Sequence, residues 1–185
     1  MRRIILMLVL AGTASCASSG SPPGSTIAMP SERVVAVDNT GVYRTTVAPN
    51  AKTAIPVPPA RAFEALKAVY QELDIPLGVA DPTTGSVGNT DFWKTRKLGN
   101  EPMSTYLNCG DSFIGPAADN YRIYISLVSV VRADGKGTTE LETAIAAQAR
   151  NMEGTAGERL VCGTTGRLED RIQKSVLRKV SATGQ

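Results

Sequence analysis

Histidine is absent from all 185 residues. That excludes a histidine-based catalytic triad, a histidine general base and any imidazole-ligated metal site. Cysteine occurs three times, too few for a Cys-rich structural zinc site if one of the three is processed, and no pair has Cys-x-x-Cys spacing. Charge of one sign is also missing. Lys and Arg number 20 against 17 acids, and losing Arg2 and Arg3 with a leader lowers the basic count to 18. So balanced a chain is not built to bind nucleic acid by phosphate neutralisation. The apolar run Ile4 to Ala11 is too short to span a bilayer as a helix. What is present is ordinary: 42% hydrophobic and 20% charged residues at a one-domain length predict a packed core.

The amino terminus has the order of an export signal. Met1-Arg2-Arg3 is basic, Ile4 to Ala11 is apolar, and Gly12-Thr13-Ala14-Ser15-Cys16 is small up to a cysteine. Ala14-Ser15-Cys16 resembles the lipobox of bacterial lipoproteins, with Thr13 where leucine is usual. The resemblance covers about the first twenty residues. It implies a signal peptide over 1–15, a diacylated Cys16 at the mature amino terminus, and a membrane anchor on the periplasmic side of the cell envelope. Ala17 is not the aspartate that signals inner-membrane retention, so the outer membrane is the implied address. The alternative is plain secretion with cleavage after Ala17. Residues 16–32 are rich in Ser, Pro and Gly without apolar period, a flexible tether, and 33–185 form the single globular domain.

The domain is organised around one long hairpin. In Tyr121–Arg132, Tyr121, Ile123, Ile125 and Leu127 alternate with polar positions, and in Thr138–Arg150, Leu141, Thr143, Ile145, Ala147 and Ala149 do the same. Asp134-Gly135-Lys136-Gly137 suits the turn between them. Arg33–Asp38 and Val42–Val47 read as a second, smaller hairpin, and Ala54 to Val57 as an edge strand because Pro56 lacks a donor. Two helices carry apolar stripes: Ala60–Leu73, after a Pro58-Pro59 entry, and Arg167–Val180, with Leu168, Ile172, Val176 and Val180 on one face. Thr164 and Thr165 are its N-cap candidates. These elements predict an α+β fold, an antiparallel sheet with a long central hairpin and two amphipathic helices packed on one face. In layout, anchor plus tether plus helix-on-sheet domain is similar to the small lipoproteins of the outer-membrane barrel-assembly machinery, a likeness that no motif carries.

With Cys16 processed, Cys109 and Cys162 remain, and in an oxidising compartment they predict one disulfide. Closing a 53-residue separation stabilises by about 4 kcal/mol on the chain-entropy model. Trp93, Lys94, Arg96 and Lys97 are the candidate contact surface, since aromatic and guanidinium groups dominate binding hot spots. The competing reading is a tryptophan half-buried against the sheet. Asp81, Asp91 and Asp111 match no calcium loop and read as solvated turn residues. No catalytic residue, metal site or cofactor is assigned, and neither Gly-x-Ser-x-Gly nor a phosphate-cradling loop is present. The expected function is a non-enzymatic envelope lipoprotein with a membrane and a possible envelope protein as partners. A small His-independent enzyme acting on glycan or peptidoglycan is the alternative, and a ligand-binding domain a third reading.

Overall fold

A computed structural model describes residues 31–38, 41–47, 52–151 and 159–182, with side chains from residue 52 onward. Cys16, the expected signal peptide and almost all of the expected tether lie outside the described residues. The strands are β1 (Ser31–Asp38), β2 (Gly41–Val47), β3 (Lys52–Ile55), β4 (Val79–Asp81), β5 (Ser86–Thr95), β6 (Lys97–Leu98), β7 (Glu101–Pro102), β8 (Leu107–Asn108), β9 (Asp111–Ser112), β10 (Gly115–Pro116), β11 (Arg122–Ala133), β12 (Thr139–Arg150) and β13 (Arg159–Thr164). The helices are α1 (Pro59–Glu72), the single-turn α2 (Ala117–Asn120) and α3 (Arg167–Ala182), with a 3-10 turn at Met103–Thr105.

One seven-stranded sheet carries the fold. Its order is β4-β5-β11-β12-β13-β8, with β3 also paired to β12, and each of its pairings is antiparallel. The central hairpin β11–β12 runs in unbroken register from Arg122↔Arg150 to Ala133↔Thr139. Two strands share the far edge of β12: β3 pairs with Thr139–Glu142 and β13 with Ala147–Arg150. The β1–β2 hairpin forms a separate ribbon, and its first strand begins two residues before the expected domain boundary at 33.

Alternation along the hairpin decides which face is covered. Ile123, Ile125, Leu127, Ser129 and Val131 of β11, and Leu141, Thr143, Ile145, Ala147 and Ala149 of β12, are all buried. Against them lie Phe63, Leu66, Val69 and Tyr70 of α1 and Leu168, Ile172, Val176 and Val180 of α3. The proline entry fits the first turn of α1, where Pro59 lacks only an amide that would find no partner. A hydroxyl chain pins α1 to the hairpin: Tyr70 Oη lies 2.9 Å from Ser129 Oγ, which lies 2.7 Å from Thr143 Oγ1. Burial holds the Tyr70 hydroxyl well above its ordinary pKa, so it stays a neutral partner in this chain. Where the sequence suggests N-caps for α3, Gly166 (φ 80°) occupies the last position before the helix. Thr164 instead accepts the Gly166 N–H at 3.0 Å and donates its hydroxyl to Glu169 at 2.7 Å. The sheet is therefore α+β and helix-covered on one face, and Cys109 and Cys162 are joined, Cα to Cα 4.1 Å, where β8 meets β13.

Candidate functional site

The expected contact residues do not share one surface. In β5, Phe92 opposes Ile125 and is buried on the helix side, so its neighbour Trp93 projects to the other face, opposite Tyr124. Trp93 is 53% exposed. Lys94 returns to the helix side, opposite Ile123, where its ammonium pairs with Asp74 beyond the end of α1. Arg96 and Lys97 are exposed, and Arg96 sits at φ 62°, turning the chain out of β5 into the β6–β7 ribbon. The cation against Trp93 is one the sequence reading did not single out: the Arg122 guanidinium lies 4.5 Å from the ring centroid.

Two cross-strand rows continue from this pair over the helix-free face. Trp93, Tyr124, Gln148 and Val161 occupy one register line across β5, β11, β12 and β13. Thr95, Arg122, Arg150 and Arg159 occupy the next. Val161 is also exposed, so the first row presents apolar and aromatic area to solvent, while the second presents three guanidinium groups. The signal for part of this was in the sequence, since Arg122 and Arg150 are equidistant from Lys136 in the hairpin loop. Arg159 becomes their neighbour only through the β12–β13 register, which no local pattern announces.

Between β5 and β11 the register slips. Phe92 opposes Ile125 and Asn89 opposes Leu127, so Thr90 and Asp91 together face the single Ser126. A cavity of about 230 Å³ opens at this bulge. It is lined on the helix-free side by Tyr124, Ser126, Gln148, Arg150 and Arg159, with Thr90 and Asp91 at the bulge itself. Ser126 is only 6% exposed, and its hydroxyl has no hydrogen-bond partner among the described residues.

The remaining sequence candidates stay apart. Asp81 lies in the turn between β4 and β5, accepting the Thr83 N–H at 2.8 Å and the Thr84 hydroxyl at 2.9 Å, and these bonds hold its carboxyl below the usual range. Asp111 begins β9, and the loop following it carries Phe113 and Ile114 outward, an apolar tip that the sequence reading passed over. Among the described residues no cluster of three acidic or thiol groups is placed to hold a metal, and no helix is long and apolar enough to cross a membrane. No protein-family model, curated protein or solved structure matches the chain.

Proposed function

We propose that this chain is a binding module of the cell envelope, held to a membrane by a lipid on Cys16, that meets a protein partner with the helix-free face of its sheet. The observation that carries the reading is Trp93, an indole more than half exposed at the β5 end of the row it forms with Tyr124, Gln148 and Val161 and braced by Arg122. Holding that much apolar surface in water is unfavourable, and tryptophan and arginine are the side chains that most often anchor interfaces. The lipobox-like Ala14-Ser15-Cys16 supports the anchor, and the disulfide suits an oxidising compartment.

Trp93→Ala tests the surface. Its stability should stay within about 0.5 kcal/mol of the wild type, as for an exposed substitution. Recovery of the crosslinked envelope partner should fall at least tenfold, with Lys136→Ala in the hairpin loop as an unaffected control. A destabilisation of about 3–5 kcal/mol, the cost of truncating a core tryptophan, would make Trp93 a packing residue and remove the reading's support. So would blue-shifted emission protected from iodide.

A further inference from the structure

The three arginines of the second row stand where a sheet tolerates them poorly. Arg122 is directly opposite Arg150, and Arg150 directly opposite Arg159. Side chains so placed have Cβ atoms about 5 Å apart, and like charges there destabilise the pairing. None of the three forms an ion pair with a described carboxylate. Arg122 Nε is buried without a hydrogen-bond partner among the described residues. Next to the row, the buried Ser126 hydroxyl faces the cavity and is equally unpartnered. Unmet buried donors and aligned like charges both cost stability, and a single group bound in the cavity would relieve the Ser126 hydroxyl and the Arg150–Arg159 pair together.

Resting on the surface reading above, we propose that this cavity is an oxyanion site for a phosphate or carboxylate group. Arg150 and Arg159 present the planar forks that such groups accept in pairs. Ser126 Oγ and the Gln148 amide supply neutral donors from the lining, and Tyr124, next to Trp93 on its register line, borders the same cavity. Among the described residues Asp91 is the one carboxylate in the lining, against two arginines. The volume is several times the ~30 Å³ share of one water, enough for a compact headgroup. The oxyanion belongs either to a free small molecule or to an anionic lipid, and the two sources separate by experiment.

The purified protein is titrated with inorganic phosphate, with succinate, and with vesicles of phosphatidylglycerol against vesicles of phosphatidylcholine, ionic strength being matched with sodium chloride. Phosphate or succinate should raise the melting temperature above the chloride control and shift Trp93 emission. A response confined to phosphatidylglycerol assigns the site to a lipid headgroup. The double variant Arg150→Gln, Arg159→Gln should melt at or above the wild type without anion, because the aligned repulsion is gone, and should bind at least tenfold more weakly. No response of the wild type to any of the three probes overturns the proposal, as does an undiminished response of the variant. If the double variant does not fold, Ser126→Ala serves instead, with weakening of severalfold expected and unchanged affinity overturning it. An anion response that survives in a protein whose partner recovery ignores Trp93→Ala leaves the site standing and removes only the partner reading.

Discussion

Glu169 shows how a single residue sets a pH dependence. It lies in the first turn of α3, is 4% exposed, and takes one hydrogen bond from Thr164 while its other oxygen has no partner among the described residues. Burial raises its carboxyl above the ordinary range, and the Thr164 hydroxyl and its own backbone amide offset that only in part. An acid whose folded pKa exceeds its unfolded value binds its proton more tightly when folded. Its contribution is therefore full below the unfolded pKa, about 4.3, and is lost as pH rises through the folded value. Urea unfolding of Glu169→Gln and wild type should then diverge with pH, the variant gaining relative to wild type as pH rises above about 4.3. A difference that stays constant as pH rises would mean that burial does not raise the carboxyl. Nothing in the sequence marks Glu169, which reads as one more polar residue of an amphipathic helix. Burial arises here from tertiary packing and not from the helical period.

Strand β5 is the element on which reading and structure part. Its inward residues Val87 and Phe92 stand an odd number of residues apart, because this ten-residue strand is interrupted by a bulge. Alternation is read from the side-chain period, and a bulge shifts that period by one, so a sequence window sees two short patterns out of phase. The hairpin β11–β12 and the two helices were legible because their periods are unbroken and long. At Gly88 the backbone of β11 comes so near that an added Cβ would lie 2.3 Å from the Leu127 carbonyl oxygen and 2.7 Å from Val128 Cα. Neither atom can rotate away. Gly88→Ala should therefore pry β5 from β11 and lower stability by roughly 1–3 kcal/mol, the usual range for overpacking. Equilibrium urea curves with an unchanged m-value check it. An alanine variant as stable as wild type would show that the two strands separate freely there. Gly85, at φ 69°, directly precedes the strand, and a Cβ built there would lie 2.1 Å from the Val131 carbonyl oxygen.

At the scale of the whole molecule, the sheet divides the chain's tasks between two faces. The helix side holds the core, and stripes and alternation describe its hairpin and helices but not Leu98, Met103, Tyr106, Leu107, Ala117 and Ala118, which short elements between β5 and β11 bury. The other side gathers Trp93, Arg122, Gln148, Arg150 and Arg159 from four strands. Their neighbourhood depends on register alone, so the expected patch of Trp93, Lys94, Arg96 and Lys97, read along one strand, missed the cross-strand arginine and included a lysine that faces the helices.

The disulfide closes the edge of this architecture. Cys109 and Cys162 clip the β8–β13 edge beside a 53-residue separation that contains the whole central hairpin. Breaking such a clip in a small secreted domain costs roughly 2–5 kcal/mol. Such a pair stays oxidised only where the environment is oxidising, so the export proposed above would couple compartment to fold stability. Protein produced in cells from the full gene should carry the linked peptide pair and incorporate a fatty-acid analogue. Cys16→Ser should lose the label but keep the disulfide. Deleting residues 4–11 should lose both, leaving two alkylatable thiols and a domain weakened as Cys109→Ser weakens it. A label that persists in Cys16→Ser would place the lipid elsewhere, an unlabelled wild type would remove the anchor, and two free thiols in protein isolated from the envelope would break the link between compartment and clip.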